Sequence, residues 1–416
     1  MNSLNHNEVI NLLLQLAAML ILARAFAEVA RKFNQPAVVG ELFAGIILGP
    51  TILGTIFPDI FTYMFMSSQS TNIALDGIVQ IAVILLLFIA GLEVELHLIW
   101  SQGKSALSIS IMGLVIPFAL GFVFPYFFSS FFGLADGDKL LFSLFMGTAM
   151  SITALPVVVR ILMDMNLFKS KIGMLIVAAA MVNDIIGWLI FSVILSFMGQ
   201  GSSLSLFQTI GITLVFTFFM LTLGKAIINR ILPWVNKKLA WPGGVLSLSM
   251  AFCFLAAAFT EWLGIHSIFG AFLLGVALGD SEHMSERAKE IVHQFINNIF
   301  APLFFVSIGL KINFVTNFDL ALTLAVLVIS FAGKIIGSGI GASFGGFNFR
   351  ESLAVGFGMN ARSAMEIILG LIALENGLID EKLFVALVIM AIVTSMTSGP
   401  LMKMSLKAEG KAVTVS

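Results

Sequence analysis

Charged residues are scarce in this chain. Only 11% of its 416 residues are Asp, Glu, Lys or Arg, and 59% are hydrophobic, whereas an average soluble domain is about 25% charged. So few charges cannot cover a surface that faces water, which excludes an ordinary soluble enzyme. The 22 basic and 23 acidic residues leave no basic surplus, and this excludes a nucleic-acid-binding chain.

Cysteine is almost absent as well. Cys253 is the only one, so the chain can form neither an intrachain disulfide nor a thiolate metal cluster. The sequence contains no phosphate loop, no dinucleotide fingerprint and no catalytic triad pattern, and we therefore expect neither an enzyme nor a bound cofactor. The first basic residue is Arg24, so we expect the first apolar stretch to be a retained helix rather than a cleaved signal peptide.

Long apolar runs are what the chain has in abundance. Because one span needs ~20 apolar residues, the runs predict a polytopic α-helical membrane protein with about thirteen transmembrane helices, the ninth of them short. The predicted helices lie near residues 8–30, 37–54, 75–96, 105–128, 139–163, 171–197, 206–232, 244–263, 266–279, 291–312, 319–344, 351–375 and 381–404.

Basic residues orient these helices, since Lys and Arg concentrate in cytoplasmic loops. They cluster after the odd-numbered helices, whereas the opposite side has only Lys139, Lys311 and Lys382. We therefore expect a multi-pass protein of the cell (inner) membrane, with its N-terminus outside and its C-terminus in the cytoplasm. The predicted cytoplasmic set is Arg31, Lys32, Lys104, Lys169, Lys171, Arg230, Lys237, Lys238, Arg287, Lys289, Arg350, Lys407 and Lys411.

Two pairs of helices share a spacing of small residues. The second helix has glycines at 40, 45 and 49, and the ninth repeats them 230 positions later. The third helix resembles the tenth in the same way, over residues 85–96 and 303–314. An offset of seven helices inverts the second copy, as in secondary transporters, although small residues that only pack helices together would also form such ladders. The predicted organisation of residues 1–416 as one transporter unit is a first repeat at 1–197, a connecting helix at 206–232, a second repeat at 244–404 and a tail at 405–416.

Polar residues interrupt two helices that correspond in this repeat. The fifth has Ser151, Thr153 and Pro156 at its centre, and the twelfth has Asn-Ala-Arg-Ser at 360–363. Proline removes a backbone donor and frees carbonyl groups. Carbonyl and hydroxyl oxygens are hard ligands that suit a small cation, so we expect Ser151 and Thr153 to line an ion site.

One carboxylate is predicted to lie near the middle of the membrane. Asp184 comes thirteen residues after Lys171, or ~20 Å along a helix, and intramembrane charges are costly and usually functional. Together with Asn183 it offers a carboxylate and an amide oxygen. A carboxylate in this position can hold either a proton or a monovalent cation such as Na⁺ or K⁺, which is sufficient for exchange. A buried aspartate that braces a neighbouring helix is the alternative.

Other ionisable residues also fall inside predicted helices. Lys334 and Arg362 are expected to be counter-charges, either paired with Asp184 or Glu366 or placed at the opposed ends of the interrupted helices. Glu366 follows Arg362 by four residues, so these two could equally form a local brace. Glu41, in the second helix, is expected to be a packing or gating group.

Six stretches spread over almost the whole chain resemble one transporter family. The chain is similar to the monovalent cation:proton antiporters that include Kef-, Nap- and GerN-type proteins. The stretches that carry the resemblance are NQPAVVGELFAGIILGP (34–50), LLLFIAGLEVEL (85–96), TALPVVVRIL (153–162), GIHSIFGAFLLG (264–275), PLFFVSIGLKI (302–312) and GKIIG (333–337).

The resemblance implies an NhaA/Nap-like antiporter fold of thirteen helices, a core domain that moves against a dimerisation domain, and a homodimer. It puts the family's acidic transport position on Asp184, with Asn183 beside it. The fifth and twelfth helices become the crossing helices, which places Thr153 and Ser151 next to the site. The family's core lysine position falls on Lys334.

Two departures from the family pattern matter. Some relatives have two adjacent aspartates, the first paired with the lysine, but here the first position is Asn183. A single titratable carboxylate favours an electroneutral one-for-one exchange, unless Lys334 itself carries a proton. Only twelve residues follow Met404, so we expect no nucleotide-binding domain in the tail, and a separate regulatory subunit stays open.

The predicted function is therefore secondary active exchange of a monovalent cation for a proton by alternating access, with a role in pH homeostasis. The expected partners are Na⁺ or K⁺, protons and membrane lipid. Na⁺ is the first expectation and K⁺ a close second, and selectivity between them depends on cavity size and ligand number. Two alternatives stay open, a Kef-like ligand-gated potassium efflux channel and a non-transporting membrane sensor.

Overall fold

In the computed structural model, every regular element of the described part of the chain is a helix. The description covers residues 4–407 except 34, 67, 95, 97–102, 133, 135–137, 166, 169, 199–205 and 363. Lys169, Ser363, Lys411 and most of the predicted tail lie outside it. Ten helices in the described part are long and apolar enough to cross a membrane, so the protein is a multi-pass membrane protein.

The chain divides into two compact units. Unit 1 comprises residues 1–92, 223–259 and 270–318. Five α-helices lie in residues 1–92, and five more lie wholly or mostly in the other two segments. Unit 1 also contains a π-helical turn, Ile296–Phe300, and part of another, Met220–Gly224. Its α-helices are α1 His6–Lys32, α2 Ala37–Leu48, α3 Leu53–Ile56, α4 Pro58–Phe65, α5 Gln69–Leu92, α11 Lys225–Lys238, α12 Gly243–Trp262, α13 Ser267–Gly279, α14 Glu286–Phe295 and α15 Ala301–Lys311.

Unit 2 comprises residues 93–222, 260–269 and 319–416. Its helices are α6 Gly103–Phe127, α7 Lys139–Ser151, α8 Leu155–Asp164, α9 Lys171–Met198, α10 Leu206–Phe219, α16 Leu320–Phe344, α17 Phe349–Met359, α18 Ala364–Glu375 and α19 Glu381–Lys407. The core of this unit is apolar, with fully buried side chains such as Phe142, Phe145 and Phe384. Four of the described charged residues of this unit are buried, namely Asp184, Lys334, Arg362 and Glu366, and they lead to the candidate site.

Each of the thirteen sequence ranges overlaps a helix, but several boundaries differ. The second range, 37–54, was too long, because α2 ends at Leu48 and Gly49 adopts an extended conformation before Pro50. The connecting helix runs past 232 to Lys238 and includes Pro233. Lys139–Ser151 and Ser267–Gly279 are shorter than a full span, so the number of membrane crossings stays a prediction.

The glycine ladders lie where helices of unit 1 touch. A methyl group added at Gly45 would come within 2.4 Å of the Val306 carbonyl oxygen, and one at Gly275 within 2.2 Å of the Phe88 carbonyl oxygen. These two contacts correspond under the offsets read from the sequence, since 45 maps to 275 and 88 to 306. Side chains are excluded there because the backbones themselves are in contact.

Candidate functional site

Two helices of unit 2 are interrupted at their centres. The first begins at Asp138, whose side chain accepts from the backbone N–H of Leu140 and Leu141, and it ends at Ser151. Ile152 and Ala154 are extended, and the chain becomes helical again at Leu155, with a proline in the first turn of α8. Proline suits a first helical turn because the N–H it lacks would have no intrahelical acceptor there.

The second interruption separates α17 from α18. A capping box formed by Asn348 and Glu351 starts α17, which ends at Met359, and α18 starts at Ala364. Both interruptions predicted from the sequence are therefore present, at residues 152–154 and 360–362.

The two interruptions are hydrogen-bonded to each other. The Thr153 hydroxyl donates to the Met359 carbonyl oxygen at 3.0 Å, and the Ala154 backbone N–H donates to the Ala361 carbonyl oxygen at 2.9 Å. Carbonyl groups at the end of α17 thus find their donors in the opposite break. The two interruptions are therefore in direct contact.

Arg362 is bound to the end of α7. Its guanidinium is fully buried and donates from Nη1 to the Ala149 carbonyl oxygen at 2.6 Å and from Nη2 to the Met150 carbonyl oxygen. These are carbonyl groups of the last helical turn, which carries the negative end of the helix dipole. Arg362 itself precedes the first turn of α18, so its position is that of a helix-end partner across the break.

Lys334 approaches the same helix end from α16. Its ammonium is fully buried and donates to the Gly113 carbonyl oxygen at 2.9 Å and to the Ser151 carbonyl oxygen. A third acceptor is the side-chain oxygen of Asn183, at 3.1 Å in the amide orientation that satisfies both ends of the amide. A lysine ammonium has three N–H donors, and all three have acceptors here.

Asn183 connects this lysine to α6. With its oxygen turned toward Lys334, its amide group donates to the Ser110 hydroxyl oxygen at 2.7 Å and to the Ser110 carbonyl oxygen at 3.0 Å. The amide therefore takes the place of a carboxylate as the lysine's acceptor and brings no charge. The sequence, in which Asn183 stands where some relatives have the first aspartate, had left the partner of Lys334 open.

Asp184 is 2% exposed, and its Oδ1 atom has no hydrogen-bond partner among the described residues. The charges that act on it belong to Glu366, Lys334 and Glu93. Its helix passes the first interruption, since a methyl group at Gly187 would lie 2.6 Å from the Ile152 side chain. An unsatisfied buried carboxylate oxygen is costly, and a bound proton or cation would satisfy it.

The other predicted site residues also belong to this cluster. Ser151 is buried, but its hydroxyl donates to the Thr148 carbonyl oxygen in its own helix at 2.9 Å, and its backbone oxygen meets Lys334. Glu366 is buried in the first turn of α18, where the helix dipole favours a negative charge. Glu41 is buried on α2 in unit 1 and is not part of the cluster.

Three participants were not assigned from the sequence, namely Ser110, Gly113 and Glu93. Ser110 lies in the serine-containing run SALSIS, and Glu93 lies within the motif LLLFIAGLEVEL, so both left a signal that could have been followed. Gly113 acts only through its carbonyl oxygen. Every residue has such an oxygen, so the residue type could not have identified it.

Comparison with known proteins shows the family to which the chain as a whole is similar. A family model described as "Sodium/hydrogen exchanger, transmembrane" matches residues 16–408. The chain is 32% identical to the Na(+)/H(+) antiporter NhaS4 of Synechocystis sp., covering 95% of this chain and 97% of that protein. It is 30% identical to the Na(+)/H(+)-K(+) antiporter GerN of Bacillus cereus, covering 97% and 98%.

A plant relative and a solved structure complete the comparison. The chain is 34% identical to Cation/H(+) antiporter 17 of Arabidopsis thaliana over 97% of its own length, but it spans only 49% of that protein. The sodium proton antiporter MjNhaP1 of Methanocaldococcus jannaschii matches with a TM-score of 0.63 at 17% identity, covering 98% of this chain and 99% of the other. The fold is therefore shared with that antiporter.

Proposed function

Because the chain belongs to the sodium/hydrogen exchanger family, we propose that it exchanges a monovalent cation for a proton across the membrane, with Asp184 as the shared site. The observation that carries the proposal is the buried Asp184 carboxylate, whose Oδ1 atom has no partner among the described residues. Proton and cation compete for it, and access alternates between the two sides of the membrane. Na⁺ is the first candidate and K⁺ the second.

The contacts of Lys334 support an electroneutral exchange. Its three donors have three acceptors, namely the carbonyl oxygens of Gly113 and Ser151 and the amide oxygen of Asn183. Loss of a proton would turn a nitrogen lone pair toward one of these oxygens, so the ammonium stays charged throughout the cycle. Asp184 is then the group that alternates, and the site has the same charge with a proton as with a monovalent cation. One of each is exchanged and no net charge moves.

The glycine contacts of unit 1 support the inverted repeat of six helices, one connecting helix and six helices. The pairs 45 with 306 and 275 with 88 correspond under the repeat, as an approximate two-fold axis requires. With thirteen crossings the N-terminus lies outside and the C-terminus in the cytoplasm. Labelling of single cysteines placed at Lys104 and Lys382 tests this topology, since the native Cys253 is buried.

The experiment that tests the proposed function is exchange in proteoliposomes. A pulse of Na⁺ or K⁺ should dissipate an imposed pH gradient in the wild type, and Asp184→Asn should abolish this. Asp59→Asn, at an exposed position in the first turn of α4, is the matched control and should leave exchange intact. Undiminished exchange in Asp184→Asn would refute the assignment. Cation flux without proton movement would indicate a channel instead.

A further inference from the structure

Asn360, at the second interruption, has a side-chain amide that makes no hydrogen bond to the described residues. It follows the last residue of α17 with φ −81° and ψ −2°, and it is completely buried. Neither its side-chain oxygen nor its side-chain nitrogen has a hydrogen-bond partner among the described residues. Burial of such a group without a partner is unfavourable, so the position calls for an explanation.

The backbone on both sides of this amide is hydrogen-bonded. The Asn360 N–H donates to the Phe357 carbonyl oxygen at 3.2 Å. On either side, the Met359 carbonyl oxygen accepts from the Thr153 hydroxyl and the Ala361 carbonyl oxygen accepts from the Ala154 N–H. The residue is therefore held in place by its neighbours, and both polar atoms of its side chain are left to bind something else.

The helix of Asp184 runs past both interruptions. It packs against the first at Gly187 and Ile152, and against α17 near the second, where a methyl group at Gly358 would lie 3.2 Å from the Ile176 side chain. The guanidinium of Arg362 is directed to carbonyl oxygens of α7. The charges that act on Asp184 are those of Glu366, Lys334 and Glu93. Because the ammonium of Lys334, like the guanidinium, is bonded to carbonyl oxygens, the carboxylates favour a cation over an anion as an additional occupant.

We propose that Asn360 is an additional ligand of the transported cation and binds it through Oδ1. This rests on the proposed function and adds a residue to its site. The amide oxygen is a hard, neutral ligand, so it contributes to cation binding without adding charge to the exchange. Thr153 can contribute in the same way, because its hydroxyl proton is used on Met359 and its oxygen lone pairs remain. The buried amide is thus satisfied in the cation-loaded state.

The test compares Asn360→Ala with the wild type in proteoliposomes. Loss of one interaction with a charged group predicts a rise of about tenfold in the apparent KM for the cation. The maximum rate at saturating cation should change less than about threefold, because proton binding at Asp184 does not use the amide. Asn360→Asp keeps an oxygen at the position and should bring the KM back to the wild-type value or below it.

Thr213→Val is the matched control. Thr213 is also buried in unit 2 with a hydroxyl that has no partner among the described residues, but it lies on α10, which is neither of the interrupted helices. Its replacement should leave the KM unchanged.

An unchanged cation KM in Asn360→Ala, with exchange still active, overturns the inference and leaves the proposed function standing. Absence of cation-driven proton movement in the wild type would instead overturn the proposed function. If Asn360→Ala gives too little protein, Asn360→Gly in detergent replaces it. The rise in melting temperature on adding Na⁺ or K⁺ should then be smaller than in the wild type, and an equal rise refutes the inference.

Discussion

Replacement of Lys334 by methionine separates a structural lysine from a proton-carrying one. The substitution keeps the length of the side chain and removes the charge. It leaves the carbonyl oxygens of Gly113 and Ser151 and the amide oxygen of Asn183 without their donor, all in a fully buried place. If Lys334 is a fixed ammonium, the principal effect is on stability.

The magnitude follows from the three lost contacts. Hydrogen bonds from a charged group contribute about 1.5–3 kcal/mol each, but relief of the buried ammonium's desolvation offsets part of the loss. Removal of one partner from a buried charged network typically costs about 3–5 kcal/mol, and we expect a loss within that range. Thermal unfolding of the detergent-purified protein should show a melting temperature lower by about 3–6 °C, because a chain of 416 residues has a large unfolding entropy.

Lys311→Met provides the control for this measurement. Lys311 forms an ion pair with Asp76 at 3.0 Å, and the two side chains are 35% and 53% exposed, so its loss should cost less than about 1 kcal/mol. Any exchange that Lys334→Met retains should remain insensitive to an imposed membrane potential. Wild-type exchange that depends on the membrane potential, together with a Lys334→Met variant of wild-type stability that has lost this dependence, would refute the reasoning, because the lysine would then carry a transported proton.

Two further predictions concern the packing that holds the site and its scaffold. Gly91→Ala should destabilise the protein by about 1–3 kcal/mol, because the new methyl group would lie 2.1 Å from the Phe272 carbonyl oxygen. Gly77→Ala in the same helix is the control, since its methyl group meets nothing within 4 Å. Equal melting temperatures for the two variants would contradict this prediction. Arg362→Lys should reduce the maximum exchange rate at least about tenfold, because an ammonium cannot reproduce the two-point contact with Ala149 and Met150. Exchange at the wild-type rate in Arg362→Lys would show that the guanidinium is dispensable.

The interruptions were predictable because they leave local signals. Pro156 cannot continue an unbroken helix, and Asn360 and Arg362 stand out in an apolar run, so residue type alone pointed to both breaks. The end of α2 was missed because the apolar run continues past Leu48, and only the Gly49-Pro50 pair marks the turn. The polar first turn of α5, starting at Gln69, was missed because helices extend beyond their apolar core.

The partners of the buried charges could not be predicted. Lys334 binds oxygens of residues 113 and 151, which lie about two hundred positions away in sequence, and most of its acceptors are backbone atoms. The sequence showed that burying these charges in a membrane costs free energy, but it did not show which groups would form hydrogen bonds with them. The role of Asn183 likewise depends on its contact with Ser110 on another helix.

The most direct test of the central claim is the apparent KM for the cation as a function of pH in wild-type proteoliposomes. If one proton and one cation compete for the single carboxylate of Asp184, the KM should rise by about tenfold for each unit by which the pH falls in the acidic range. The maximum rate should not fall in parallel. A KM that stays constant with pH would contradict competition at Asp184 and with it the proposed exchange mechanism.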